Sequence, residues 1–112
     1  MMDFELEIGF LTGGTLNAMG DPIPVETAEE ASFGLVLVND WSARDVQVWE
    51  QPPLGCFASK NFATSMSPWI VMMDAIKDFK TELPAQDPKP LAYLDDPNHS
   101  SYDIELFLGI QH

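Results

Sequence analysis

A strict alternation of apolar and polar positions runs through residues 3–11, near the start of the chain. The apolar positions hold Phe4, Leu6, Ile8 and Phe10, and the positions between them hold Glu5, Glu7 and Gly9. Successive side chains of a β-strand point to opposite faces, so a period of two is typical of a strand with one face in the core. Residues 3–11 therefore predict a half-buried strand that carries two glutamates on its other face.

Four later segments also have strand character. The unbroken apolar run at residues 35–38 predicts a strand that is buried on both faces. Residues 69–73 form another apolar run of strand length, and residues 102–110 alternate weakly. We also expect a short strand around Phe57, inside a stretch that is otherwise typical of a loop.

The helix signals in the sequence are short. Thr27 begins a Thr-Ala-Glu-Glu capping box, which predicts a single helical turn. Ser42 is expected to cap a second helix that continues to Glu50 and is stopped by a Pro-Pro pair. Residues 81–101 contain two Asp-Pro pairs and are expected to be extended and irregular.

Together these elements favour an α+β protein that is mainly β and has an irregular mixed sheet. A repeated βαβ arrangement does not fit, because the helices are too short to cover a parallel sheet. The length of 112 residues corresponds to one domain and leaves no room for two.

The chain is strongly acidic, with 18 Asp and Glu against 5 Lys and Arg and a formal net charge of −13. This balance argues against nucleic acids and anionic membrane surfaces as partners, since both require basic patches. Residues 1–50 hold ten carboxylates and a single base, Arg44. A plain solvated acidic surface is the default explanation of this bias, and a cation bound in this half of the chain is the alternative.

Location and redox state follow from other absences in the sequence. No apolar run approaches the roughly 18 residues that a membrane span requires, and no signal peptide is expected. The single cysteine, Cys56, excludes an internal disulfide and favours a reducing compartment, so a cytoplasmic location is expected. No histidine or base adjoins Cys56 in the sequence, which favours a small buried side chain over a nucleophile.

Three acidic residues are candidates for chemistry. Glu5 and Glu7 project from one strand face with Cα atoms about 7 Å apart. Asp40 stands where a predicted buried strand ends and a helix begins. Carboxylate oxygens are the ligands that hard divalent cations select. A solvent-facing edge strand and a local helix cap explain the same residues without a metal, and spacing alone leaves both interpretations open.

Other polar residues carry weaker signals. Lys60 lies between two phenylalanines and is either held near a site or extended into solvent. Arg44 and Asp45 are expected to form an ordinary pair on a helix surface. His99 and His112 lack metal-ligand spacing, so we assign them no role.

Several motifs, in order, resemble the fumarylacetoacetate hydrolase family and, within it, the fumarylacetoacetases. They are Asp-Phe-Glu-Leu-Glu at 3–7, Asn-Asp-Trp-Ser-Ala-Arg-Asp-Val-Gln-Val-Trp-Glu at 39–50, Pro-Leu-Gly at 53–55, Lys-Asn-Phe at 60–62, Ser-Pro-Trp at 67–69, Met-Asp-Ala at 73–75 and Gln-Asp-Pro-Lys-Pro-Leu at 86–91. This resemblance covers nearly the whole chain. It implies that residues 1–112 are a central piece of the family's catalytic domain, with an incomplete β-roll fold.

The resemblance implies a metal site. It makes Glu5, Glu7 and Asp40 ligands of an active-site cation, which is Mg²⁺ or Ca²⁺ or both. It also assigns Lys60 and Thr64 to the loop on the metal side, as part of a magnesium site that they share with Asp40.

Substrate contacts are implied as well. Gln47 is expected to contact substrate and, together with Lys60, to stabilise negative charge that develops on oxygen. Gln51 stands where the family often has a substrate-facing tyrosine, and this departure puts part of the substrate pocket in question. The family's catalytic histidine, a further aspartate ligand and a catalytic glutamate have no counterparts in this chain.

The implied activity is hydrolysis of a carbon–carbon bond in 4-fumarylacetoacetate to fumarate and acetoacetate, in tyrosine and phenylalanine breakdown. Because the base is missing, the chain alone is expected to be inactive, and the full-length protein is expected to be a homodimer. Two alternatives stay open. One is a non-catalytic acidic module that binds a cation, and the other is a relative that acts on acylpyruvates or oxaloacetate.

Overall fold

The computed structural model of the chain describes residues 1–14, 17–53, 55–98 and 100–111. In these ranges there are eight short strands, two α-helices and three 3-10 turns, and the sheets stay open. The strands are β1 Met2–Asp3, β2 Leu6–Thr12, β3 Ser32–Asp40, β4 Ser42–Ala43, β5 Thr64–Met66, β6 Val71–Met72, β7 Lys80–Glu82 and β8 Ser100–Tyr102. The helices are α1 Arg44–Glu50 and α2 Met73–Ile76, and the 3-10 turns are Val25–Thr27, Lys77–Phe79 and Ala92–Leu94. The predicted α+β class, mainly β, is confirmed.

The chain divides into two compact units, one of residues 1–9, 36–70 and 106–112 and the other of residues 10–35 and 71–105. In the first unit, β1 pairs antiparallel with β4, and the end of β3 pairs antiparallel with β5. In the second unit, the start of β3 pairs antiparallel with β6, and β7 pairs antiparallel with β8.

The contact between β2 and β3 in the first unit fixes which side chains share a face. Gly9 of β2 lies so close to β3 that an added Cβ would come within 2.8 Å of Cγ2 of Val38. Glu7 shares a strand face with Gly9, and Asp40 shares one with Val38, because side chains two apart point the same way. The close approach at Gly9 therefore puts Glu7 and Asp40 on the same face of the sheet.

Burial is concentrated on β3. Leu35 and Val36 are 5% and 3% exposed and point to opposite faces, as the apolar run at residues 35–38 predicts. Leu37 is 51% exposed, so burial on both faces holds for only part of that run. Ile76 of α2 is the other apolar residue of the described chain that is buried.

Three strand predictions need correction. Phe57 is not in a strand but directly precedes a turn, with a φ of +58°. Of residues 69–73, only Val71 and Met72 form a strand. The strand predicted for residues 102–110 stops at Tyr102, since its partner β7 begins with Lys80, directly opposite Tyr102. Beyond this pair the Asp103 N–H donates to the carbonyl oxygen of Phe79, but Phe79 belongs to a 3-10 turn and cannot extend the strand pairing.

Two cap predictions also need correction. α1 ends at Glu50 as expected, but it begins at Arg44, and no side chain caps it. Ser42 belongs instead to β4, where it is fully buried. Thr27 does not cap a helix but is the last residue of a 3-10 turn. Its hydroxyl donates back to the carbonyl oxygen of Pro24 at 3.3 Å.

Two predictions concern surface segments. Residues 83–91 have neither helix nor strand, in agreement with the expected irregular stretch, although β7 and β8 pair at its two ends. Cys56 is exposed, which contradicts the expectation of a buried side chain, because it lies in an irregular surface segment. In the part of the chain that is described, no helix has both the length and the apolar character needed to cross a bilayer.

Candidate functional site

The carboxylates of Glu5, Glu7 and Asp40 converge in the first unit. One oxygen from each lies within 4.8 Å of the others. The backbone explains this convergence, since the Asp40 N–H donates to the carbonyl oxygen of Glu5 at 3.3 Å and holds the two segments together. Glu5 and Asp40 are half-buried and Glu7 is exposed. The predicted meeting of these three side chains, here called the acidic trio, is confirmed.

Lys60 reaches the acidic trio from the loop after α1. Its Nζ lies 2.6 Å from Oε2 of Glu5 and 3.1 Å from Oδ2 of Asp40. The hydrogen bond from Lys60 lowers the pKa of Glu5, and the same bond raises the pKa of Lys60. Both groups therefore stay charged around neutral pH, and of the two interpretations of Lys60 the structure supports the one near a site.

Arg44 is a second cation beside Glu5. Its Nη2 lies 3.2 Å from Oε1 of Glu5, and its Nε lies 3.2 Å from Oδ2 of Asp3. Side chains in a helix tilt towards the N-terminus of that helix. The side chain of the first residue of α1 therefore extends beyond the helix, towards the first residues of the chain. The expected surface pair of Arg44 with Asp45 is wrong, because Arg44 turns to Asp3 and Glu5 instead.

Two residues beside Asp40 fix Glu5 and were missed by the sequence reasoning. The Asn39 side-chain oxygen accepts the Glu5 N–H at 3.1 Å. The Ser42 hydroxyl lies 3.3 Å from Oε1 of Glu5 and 3.1 Å from the carbonyl oxygen of Asp40. Both lie within two positions of Asp40 in the motif at residues 39–50. The polar residues that follow a buried strand in this motif were the sequence signal that could have identified them.

The remaining predicted site residues lie on β5 and α1. Thr64 is paired with Asp40 in the β3–β5 register. Gln47 is half-buried on α1, and its Oε1 is buried without a hydrogen-bond partner among the described residues. Gln51 directly follows α1 and is exposed. Within the described chain, neither glutamine makes a hydrogen bond to the acidic trio. Outside the described residues lie Leu54 of the Pro-Leu-Gly motif, His99 and His112.

The chemistry of these groups fits a hard divalent cation. All three oxygens of the acidic trio are carboxylate oxygens, the donors that Mg²⁺ and Ca²⁺ prefer. Lys60 and Arg44 add two positive charges at Glu5. Such a site can bind a cation and, through its ammonium and guanidinium groups, an anionic or strongly polarised oxygen.

Comparison with known proteins gives consistent results. The sequence profile of the family described as fumarylacetoacetate (FAA) hydrolase C-terminal matches residues 1–108. A fumarylacetoacetase of Dictyostelium discoideum is 50% identical over 111 residues, which is 99% of this chain and 26% of that protein. A fumarylacetoacetase of Oryza sativa subsp. japonica is 53% identical over 98% of this chain and 25% of that protein. The human fumarylacetoacetase is 48% identical over 99% of this chain and 26% of that protein. The chain thus spans about a quarter of the length of these curated relatives.

Proposed function

This chain belongs to the fumarylacetoacetate hydrolase family, and we propose that it forms part of the active site of an enzyme that hydrolyses 4-fumarylacetoacetate to fumarate and acetoacetate. The observation that carries this proposal is the meeting of Glu5, Glu7 and Asp40 within 4.8 Å, with Lys60 bonded to two of them. Its place in metabolism is then tyrosine and phenylalanine breakdown.

In this proposal Glu5, Glu7 and Asp40 hold Mg²⁺ or Ca²⁺. When bound, the cation supplies Lewis acidity towards the carbonyl oxygens of the diketone. Thr64, opposite Asp40 on β5, belongs to the same side of the site. Arg44 and Ser42 hold the Glu5 carboxylate by their contacts with Oε1, and so keep one ligand oriented.

Lys60 and Gln47 are the groups that donate to substrate oxygens. Lys60 stays protonated, because its bond to Glu5 raises its pKa, so it serves as a donor and not as a base. A donor aimed at developing negative charge typically contributes about 3–4 kcal/mol to the barrier reduction. Gln51 supplies an amide where the family often has a tyrosine, and we expect it to alter the substrate pocket.

The base that activates water is proposed to come from a part of the protein outside residues 1–112. The chain alone is therefore expected to bind the cation without turning over the diketone. We also propose that the full-length protein is a cytoplasmic homodimer that binds neither nucleic acid nor membranes. Gel filtration and cell fractionation of the full-length protein test these points.

The direct test is an assay of the full-length gene product on 4-fumarylacetoacetate, an acylpyruvate and oxaloacetate, with and without a chelator. We expect hydrolysis of the first substrate, loss of activity with chelator, and recovery when Mg²⁺ or Ca²⁺ is restored. Preference for an acylpyruvate or oxaloacetate would reassign the substrate within the family. Cation binding without hydrolysis of any of the three would favour the non-catalytic module.

A further inference from the structure

We propose that Glu50 is a positioning residue whose carboxylate holds the loop of residues 55–61 so that Lys60 reaches Glu5 and Asp40. This inference rests on the proposed function for the catalytic role of Lys60. It goes further by naming the residue that keeps Lys60 in place.

The Glu50 carboxylate accepts hydrogen bonds from three donors on two adjacent loop residues. Its Oε2 accepts the N–H of Ala58 at 3.1 Å, and its Oε1 accepts the N–H of Ser59 at 3.0 Å. The Ser59 hydroxyl also donates to Oε1. These bonds lower the pKa of Glu50, with the Ser59 hydroxyl as the largest cause. Ser59 is 1% exposed, so its donors have no access to water in place of Glu50.

Backbone hydrogen bonds and one close backbone approach also hold the loop next to the Glu50 carboxylate. The Ser59 carbonyl oxygen accepts the Ala43 N–H at 2.9 Å. The N–H groups of Lys60 and Asn61 donate to the carbonyl oxygen of Phe57 at 3.0 and 3.1 Å. On the other side of the turn, a Cβ on Gly55 would come within 2.7 Å of the Glu50 carbonyl oxygen. The residue directly before Lys60 is therefore fixed at its N–H, its hydroxyl and its carbonyl.

The ion pairs of Lys60 do not by themselves explain why the loop of residues 55–61 is held in this position. Lys60 is 21% exposed and Glu5 is 25% exposed, and ion pairs with this access to water contribute little to stability. Hydrogen bonds to a charged carboxylate are stronger than those between neutral groups. Since Glu50 accepts three of them and lies on the helix that follows Asp40 in sequence, it ties Ala58 and Ser59, the residues directly before Lys60, to the element beside the acidic trio.

The kinetic test uses the full-length gene product with 4-fumarylacetoacetate as substrate. Glu50→Ala is expected to lower kcat about tenfold while KM changes less than about threefold, because Lys60 acts on developing charge. Lys60→Met is expected to lower kcat further, and the double variant Glu50→Ala/Lys60→Met should be no slower than Lys60→Met alone. Losses that multiply in the double variant would overturn the proposal, since Glu50 would then act independently of Lys60.

A second readout does not depend on activity. Reductive methylation of the full-length protein, followed by mass spectrometry, compares Lys60 with the exposed Lys77. Lys60 should be modified several-fold faster in Glu50→Ala than in the wild type, with Lys77 unchanged. Ser59→Ala removes one of the three donors and should give a smaller change in the same direction, which keeps the test decisive if Glu50→Ala does not fold.

The matched control is Glu30→Gln, an exposed glutamate of the other unit, which should leave both lysines and kcat unchanged. Unchanged Lys60 methylation in both Glu50→Ala and Ser59→Ala would overturn the positioning role. If the wild-type protein hydrolyses no diketone, the proposed function fails, and the methylation rates still decide whether Glu50 positions Lys60.

Discussion

The ammonium nitrogen of Lys60 lies 2.6 Å from Oε2 of Glu5. These residues are 55 positions apart in the sequence, and two different segments bring them together, the residues directly before β2 and the loop after α1. Lys60 also lies 3.1 Å from Asp40, so it contacts two of the three carboxylates proposed to hold a cation. A divalent cation bound by these carboxylates would therefore lie beside the Lys60 ammonium.

Replacement of Lys60 by methionine is expected to tighten binding of Mg²⁺ or Ca²⁺. The ammonium repels a cation bound to Glu5 and Asp40, and its removal should increase affinity by about tenfold. Isothermal titration calorimetry of the wild type and Lys60→Met measures the difference. Lys77→Met, on an exposed residue of the other unit, is the matched control. Equal or weaker binding by Lys60→Met would contradict this account of the site.

Gly9→Ala is expected to destabilise the protein. The new Cβ would lie 2.8 Å from Cγ2 of Val38 and 3.2 Å from Cγ2 of Val36, so β2 and β3 would have to move apart. We expect a loss of about 1–3 kcal/mol in the free energy of unfolding, as for other overpacked contacts. Urea denaturation measures it. Gly109→Ala is the control, because no described atom lies within 4 Å of its added Cβ, and equal stability of the two variants would refute the close approach.

Glu29 is expected to contribute to stability above its ordinary pKa and to lose that contribution in acid. In the second unit the Lys80 ammonium, 2.6 Å from Oε2 of Glu29, lowers the pKa of that carboxyl, and the Tyr102 hydroxyl at Oε1 adds to the effect. The charged form is thus favoured in the folded state, so the contribution is present above about pH 4.5 and declines as the pH falls below it.

Thermal denaturation at several pH values tests this linkage. The wild type should exceed Glu29→Gln by less than about 1 kcal/mol at pH 7, since the pair is partly exposed. The difference should shrink between pH 5 and pH 3. Glu30→Gln, at the neighbouring exposed position, should show no such trend. A stability difference between the wild type and Glu29→Gln that grows as the pH falls would contradict this prediction.

The fold could be predicted where one segment carries its own pattern. The alternation at residues 3–11 located β2, and the apolar run at residues 35–38 located β3. In both segments the pattern of apolar residues indicates which side chains of the strand are buried. The strand predicted for residues 102–110 failed since a strand also requires a partner. That partner, β7, is three residues long, and the 3-10 turn that precedes it cannot extend the strand pairing beyond Tyr102.

The three carboxylates that meet could be predicted from the sequence, but the side chains that support them could not. Glu5 and Glu7 share a face by strand periodicity, and the family motif added Asp40. The contacts of Arg44 with Glu5, and of Glu50 with Ser59, depend on how α1 and its loop pack. The local sequence predicts an ordinary surface pair of Arg44 with Asp45. That pair does not form, because the direction of a helix side chain takes Arg44 elsewhere.

Asp40 is proposed to complete a cation site with Glu5 and Glu7. Calorimetric titration with Mg²⁺ and Ca²⁺ of the wild type, Asp40→Ala and the exposed control Asp78→Ala tests it most directly. We expect weak binding by the wild type and by Asp78→Ala, and none by Asp40→Ala, because one of three converging oxygens is lost. Binding by Asp40→Ala that is indistinguishable from the wild type would contradict it.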